Sequence, residues 1–416
     1  MKCCPFEIFD HDWEGSVASF PGAACETLKD IPLLTASCSF CGFDTAAVED
    51  IKQTASLISE NDELLLLFWH CYRLLYITMD YTMESIKKWP LLSKELKDKA
   101  GIFYLLLAIA AVPEIRKKHS ELNIPENITR ETVYEFKLMS DQFGRMHNNE
   151  LGILPDILIW LRTHASGRLF ALGRFQFLKS DFSENINVFR NNNNSTVLAL
   201  SGSGVDYTST GFCRVSGHPG DSEGAWKSEY TETEKHYSGH PILPTGTACR
   251  CTIKLQRPLW EKVLTSGSSV IEVHIPEGGK MDLESCIHSM KDAIDFYKKY
   301  YPNEDFKGFV CKSWIMNPEY RKIYRPNANF VLFQEELYLY PLPSNGKAGL
   351  LFIFDSEDID TATAPRDTSI RRAMAEHRKK GGMLRIGGMF FLKEDMDMLG
   401  KKHYQNQDIS KLIKGS

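Results

Sequence analysis

Over residues 1–165 the apolar positions recur every third or fourth residue, and no stretch alternates. Val48, Ile51, Ala55 and Ile58 keep that spacing within 44–60, which predicts an amphipathic helix. A longer apolar helix is expected over 62–83, broken only by His70, Arg73 and Asp80, and a third over 94–112, closed by Pro113. Thr129 stands as the N-cap of a helix running to about residue 147, and 155–164 reads as a short helix carrying Trp160. The period then changes. Residues 168–178 (RLFALGRFQFL) place aromatic and aliphatic side chains at alternate positions and read as one strand. Residues 187–190 and 196–200 flank the polar tip 191–194 and read as a hairpin. Residues 201–246 have no periodicity and are expected to form a long irregular loop, which in a compact domain serves a function or hides short elements. Strand is expected at 248–255 and a short helix at 260–264.

From residue 270 the order becomes strand (270–275), Gly-containing turn (276–280), amphipathic helix (282–300) and strand (306–314). A short helix is expected at 318–324. Residues 330–342 and 350–355 alternate like a long antiparallel pair joined by a Ser-Asn-Gly turn. A helix over 369–380, capped by Asp367 or Thr368, stops at Gly381-Gly382, and 383–392 is a last strand. Helices first, then mixed strands and helices, predict an α+β chain with a helical domain at 1–165 and a mixed β-sheet domain with flanking helices at 166–416.

Composition narrows the class. The 416 residues are 43% hydrophobic and 25% charged, which is ordinary for a folded protein of this length. The net charge of −5 supplies no basic face, so a nucleic-acid partner is not expected. The most apolar run, 102–112, is shorter than the roughly 20 residues a membrane span needs. The start, MKCCPFEIFDHDWEG, has no apolar signal region, so a cytoplasmic location and no membrane partner are expected. Eleven scattered cysteines fit free thiols in a reducing compartment. Cys38-Ser-Phe-Cys41 has ligand spacing, but no second pair stands near it, and no metal is expected.

The stretch 270–301 carries the clearest chemistry. A strand that ends at Gly278-Gly279 and feeds a helix places unpaired N–H groups and a partial positive charge where a phosphate can sit. Most such units bind nothing, so other residues must decide. Those are 167–177 (GRLFALGRFQF), 239–246 (GHPILPTG), 273–279 (VHIPEGG), 309–314 (FVCKSW), Asn327-Ala-Asn329 with Phe333-Gln334, and 365–373 (PRDTSIRRA). In this order they resemble the bacterial GNAT-like acyltransferases, which join a helical N-acyltransferase N-terminal domain to a GNAT-like C-terminal domain. With the N-terminal helices, the resemblance covers nearly the whole chain.

The resemblance implies an acyl-CoA co-substrate, a small-molecule amine acceptor and N-acyl transfer. It implies a central strand at 270–275 and a pyrophosphate loop at 276–280 with Gly278, Gly279 and Lys280 as cofactor contacts. It also implies a splayed partner strand at 309–314. The loop Pro-Glu-Gly-Gly-Lys departs from the common Arg/Gln-x-x-Gly-x-Gly/Ala, and Glu277 would repel a pyrophosphate if it turned inward. Acyl transfer to an amine calls for a base. Glu272 and His274 lie two apart on one strand and share a face, so His274 is the candidate base and Glu272 its orienter. A histidine satisfied by a carbonyl at the strand end reads equally well. Ser313 is a candidate donor to the thioester carbonyl or the leaving thiolate, and Tyr320 to the thiolate. Trp226 and His240 in the long loop, and Arg168 and Arg174 on the first strand, are candidate substrate contacts. The Arg366, Arg371 and Arg372 cluster reads as a solvated helix face or as a contact for the 3′-phosphate of CoA. The alternative to an enzyme is a non-catalytic ligand-binding or scaffolding protein on the same fold. A hydrolase ranks last, since no G-x-S-x-G elbow is present. A homo-oligomer is left open.

Overall fold

In a computed structural model the described residues are 9–409 and 412–413. The first eight residues, on which the expectation of a missing signal region partly rests, lie outside them. The chain divides into two compact units, the first ending at Leu172 and the second beginning at Gly173.

The first unit is helical up to its last strand, Leu169–Leu172. Its centre is the helix Ala100–Ile109, in which every residue is buried. An apolar helix with no polar stripe must be covered on all sides. The helices Thr45–Ser59, Asp62–Tyr72, Glu135–Met146 and Ile157–Ala165 supply that cover. Pro113 does not close the central helix. It sits in the first turn of the next one, Val112–Glu121, where its missing N–H costs nothing. Thr129 is not a cap either. The helix Glu126–Val133 starts after Pro125, and Thr129 is buried inside it with its Oγ1 3.0 Å from His119 Nδ1. Among the described residues no helix is long and apolar enough to cross a membrane.

The second unit is built on a sheet whose strands are, in chain order, β1 (Phe175–Asp181), β2 (Ser269–His274), β3 (Gly308–Ser313), β4 (Tyr338–Pro341) and β5 (Gly387–Leu392). In space they run β1-β2-β3-β5-β4. Only β2 and β3 are parallel. They are joined by helix α1 (Leu283–Tyr300), a crossover of the length a parallel pair requires. α1 buries Cys286, Ser289, Met290, Ala293, Phe296 and Tyr297. Ser289 Oγ accepts the N–H of Phe175, and Tyr297 donates to the carbonyl of Phe177 at 3.4 Å. α1 therefore packs against the face that carries Phe175 and Phe177.

A second antiparallel sheet, including Ile186–Asn191, Val197–Ser201 and Trp260–Leu264, belongs to the same unit. The hydroxyl of Tyr338 on β4 receives the N–H of Ala199 at 3.0 Å and donates to the carbonyl of Ile242, so this sheet is tied to the first through a buried phenol.

Several expectations change here. The single strand at 168–178 is two, because Gly173 turns the chain at φ +66. Residues 260–264 are strand, not helix. Residues 350–354 are helix, and 330–342 hold a helix, Asn329–Gln334, before β4, so no long hairpin forms there. The long loop at 201–246 holds short strands such as His236–Gly239 and Pro241–Leu243. It is pinned by Asp221, whose carboxylate binds Arg385 at 2.6 and 2.8 Å, while Arg385 also reaches Glu319 at 3.0 Å.

Candidate active site

The β2–β3 pair is the distinctive feature. β2 pairs with β1 over all six of its residues, and β3 with β5 over all six of its own. Between β2 and β3 only Ile271–Phe309 and Glu272–Val310 are in register. Beyond them the two strands have no ladder partners across the gap, and the sheet opens toward the ends carrying His274 and Ser313. Backbone N–H groups at such an opening are available to a ligand.

The register also assigns faces. Glu272 lies beside Val310, so Glu272, His274, Val310 and Lys312 share one face. Across β3 and β5, Lys312 is opposite Gly388, and Gly388 is opposite Tyr340. One row of this face therefore reads His274, Lys312, Gly388, Tyr340. The other face carries Phe309, Cys311 and Ser313.

On this face Glu272 and His274 make a long polar contact, Oε2 to Nε2 3.4 Å, and both are half-buried. The carboxyl of Glu272 is held below the usual carboxylate range. The imidazole of His274 is the main cause, working against burial, with Ser180 and the charge of Lys312 adding to it. Lys312 pairs with Glu184 at 2.9 Å. Tyr340 is fully buried, and its hydroxyl has no hydrogen-bond partner among the described residues. Burial first, then the negative charge of Glu184, pushes its pKa up, so it stays protonated. Lys312 and Tyr340 were not legible in the sequence, because only strand register places them on the face of His274, and Glu184 was not, because it reaches Lys312 from an irregular segment.

The other expected residues fall as follows. Gly278 and Gly279 take φ +80 and +54, values that favour glycine, and their loop enters α1 through the N-cap Asp282, which accepts the N–H of Ser285. Lys280 is exposed beside them. Arg174, expected on the substrate side, lies on this loop instead. It donates to the carbonyl of Pro276 at 3.1 Å, its Nε is within 3.4 Å of where a side chain on Gly279 would begin, and that buried N–H has no partner among the described residues. Arg168 belongs to the first unit and is exposed, so the two arginines do not share one strand face.

Ser313 lies on the face opposite His274, and its Oγ accepts the N–H of Ile315 at 3.2 Å. Tyr320 is fully buried in an apolar cluster with Val331, Leu350 and Met374, and its hydroxyl has no partner among the described residues. Trp226 and His240 pack within their own segment. The indole stacks on Tyr207 at 4.7 Å, lies 4.8 Å from the His240 ring, and donates to the carbonyl of Thr208. His240 Nδ1 is 3.1 Å from the carbonyl of Cys251. Arg371 is tied to Asp355 and Asp367, while Arg366 and Arg372 bond main-chain carbonyls. Cys38 and Cys41 are both buried, and burial pushes the Cys38 thiol up to about 12. No group of three or more His, Cys, Asp or Glu side chains placed to hold a metal occurs among the described residues.

A sheet opened between two parallel strands, with a glycine loop leading into the crossover helix, defines a GNAT-like class. Residues 169–391 match the GNAT-like C-terminal domain and residues 33–167 the N-acyltransferase N-terminal domain. The chain belongs to this family. Among solved structures it is similar to an acyltransferase variant in complex with octanoyl-CoA, at 16% identity, covering 85% of this chain and 86% of the other, with a TM-score of 0.58. It is equally similar, with the same figures, to an acyltransferase in complex with decanoyl-CoA and teicoplanin. No curated protein matches the chain.

Proposed function

We propose that this protein transfers an acyl group from a CoA thioester to the amine of a small-molecule acceptor. The observation that carries the reading is the opening between β2 and β3, flanked by Glu272 and His274 and followed by the Gly278-Gly279 loop. In this reading the thioester lies in the opening, where strand N–H groups polarise its carbonyl. Gly278, Gly279, Lys280 and Arg174 hold the pyrophosphate, the buried Nε of Arg174 finding there the acceptor it lacks. The amine nitrogen attacks the carbonyl carbon, His274 takes the proton the amine loses, and the C–S bond breaks. The thiolate leaves and is protonated to free CoA, a role assigned to Ser313 from its place at the end of β3. Glu272 holds the imidazole. The solved neighbours that contain octanoyl-CoA, decanoyl-CoA and teicoplanin support a thioester donor and a small-molecule acceptor.

One feature favours the alternative, a ligand-binding protein without turnover. Asp282 caps α1 and sets a carboxylate at the helix N-terminus that a pyrophosphate would use, and Glu277 adds another to the loop. Calorimetric titration with CoA and acetyl-CoA, with ADP as a phosphate control, separates the readings. Saturable binding that is lost in Gly279→Asp, together with CoA release when amines are supplied, is the result expected for the enzyme. Binding without release under any amine selects the scaffold. Absence of heat at millimolar CoA overturns both the donor and the loop assignment.

A further inference from the structure

The helical unit contains a cavity of about 760 Å³, lined by residues of that unit alone. This is within the roughly 300–1,000 Å³ typical of small-molecule sites. One wall is aromatic. The Trp69 ring stacks on Tyr72 at 6.3 Å, and Tyr72 meets Tyr76 at 4.9 Å. Ala110 and Ala111 add small apolar side chains.

The aromatic wall is built where the helix Asp62–Tyr72 passes into a π-helical turn, Arg73–Thr78, that ends at Met79 with φ +53. A π-turn forgoes good helix geometry and occurs mostly where a helix serves a site. Here it carries Leu75, Tyr76 and Ile77 along the cavity. Ile77 and Met79 also line it and remain 56% and 58% exposed, which leaves apolar surface open to solvent.

The charged lining is one-sided. Lys117, Lys118 and Arg162 contribute three cations, and Glu114 the only carboxylate. Lys118 is committed to the carbonyl of Ala165 at 3.1 Å. Lys117 and Arg162 have no carboxylate partner among the described residues. Arg162 instead lies 5.2 Å over the ring of Tyr81, whose hydroxyl has no partner among the described residues.

We propose that this cavity binds an amphipathic carboxylate, with its hydrocarbon body against Trp69, Tyr72 and Tyr76 and its anionic end at Arg162 and Lys117. A neutral apolar ligand would cover these cations without pairing them, which is costly. A nucleotide would press a polar sugar and several charges on an aromatic wall. A single anion on an apolar chain satisfies both halves. The site needs no CoA, so its failure would leave the acyl-transfer reading untouched.

The test is calorimetric titration of the full chain with decanoate, below its micelle concentration. Decan-1-ol and decyltrimethylammonium serve as neutral and cationic controls with the same chain. Saturable binding of decanoate, and none of the cation, is expected. Arg162→Gln should weaken decanoate about tenfold or more while leaving decanol unchanged. Ile77→Glu, at an exposed position, should abolish decanoate binding by setting a carboxylate in the wall. Lys117→Gln, also exposed, stands in if the melting curve shows that Arg162→Gln does not fold. No saturable heat with decanoate overturns the proposal. So does equal affinity for decanoate and decanol, or wild-type binding in the folded variants.

Discussion

At the scale of single residues, the proposed chemistry rests on a pair two positions apart. His274 as base predicts that His274→Gln lowers kcat by about a hundred- to ten-thousand-fold, the range for a lost general base. KM for the thioester should change little, since pyrophosphate contacts are untouched. Glu272→Gln should cost less, because it leaves the imidazole in place and removes only its orienter. Steady-state kinetics with free-thiol detection checks both, and an unchanged kcat in His274→Gln would remove the base from His274. The pH sign follows from Glu272. Its pKa is lowered in the folded protein, so this contact contributes stability above the ordinary carboxylate pKa near 4.3, and that contribution is lost as pH falls through the lowered value. The acid side of the wild-type melting profile should therefore be steeper than that of Glu272→Gln. This pair was legible because a strand has period 2. Tyr340 and Lys312 were not, since their place on the face of His274 depends on strand registers, one for Lys312 and three for Tyr340, that no local pattern encodes. Arg174 was seen but misplaced, because the turn at Gly173 was read through as strand.

At the scale of elements, the sheet depends on glycines where strands carry bulk opposite them. A Cβ on Gly388 would fall 2.1 Å from Tyr340 Cε2 and 2.7 Å from its hydroxyl. Gly388→Ala should therefore displace the Tyr340 ring and cost about 1–3 kcal/mol, the usual range for overpacking, read as a lower midpoint in urea. The ring is fully buried and packed near Phe182 and Phe390. A midpoint at the wild-type value would show that the open face tolerates rearrangement. The irregular segment makes a second case. Asp221 and Arg385 are 4% and 7% exposed, so Asp221→Asn leaves a buried guanidinium with Glu319 alone. A loss of about 3 kcal/mol is expected from breaking a buried pair. Burial alone would raise the Asp221 pKa, but the Val215 N–H and Arg385 hold it below the usual range, so this stability also fades as pH falls into the acid range. Element reading succeeded where periods were long, as in α1 and its Asp282 cap. It failed in short apolar runs. Residues 350–354, Leu-Leu-Phe-Ile-Phe, have no period in five positions, and tertiary packing against Met374 and Leu384 decides for helix. Residues 260–264 became strand because pairing with Ile186–Asn191 was available.

At the scale of the whole molecule, the cysteines decide between two ways of moving an acyl group. A covalent route needs a thiolate that substrate can reach. The described cysteines are free, and Cys25, Cys38, Cys41, Cys71, Cys213, Cys286 and Cys311 are buried in both units. Cys311 is the one on β3 beside the opening, and it is the natural suspect for an acyl-enzyme. Burial first, and then the charge of Glu272, pushes its thiol up to about 12, with Lys312 only partly opposing. At neutral pH it is a small apolar side chain in effect, and a thioester exchange through it would need a proton removed against that environment. Within the proposed function this leaves direct attack by the amine as the route. The expected kinetics are sequential, with both substrates bound before any CoA is released, and Cys311→Ala should keep kcat near the wild-type value. Incubation with acetyl-CoA alone, followed by mass spectrometry, should show no acetyl adduct on Cys311. Alkylation of the native protein should reach the half-buried Cys249 and Cys251 before any buried thiol. An adduct on Cys311, or parallel double-reciprocal lines across acceptor concentrations, would establish a covalent intermediate and overturn direct attack by the amine.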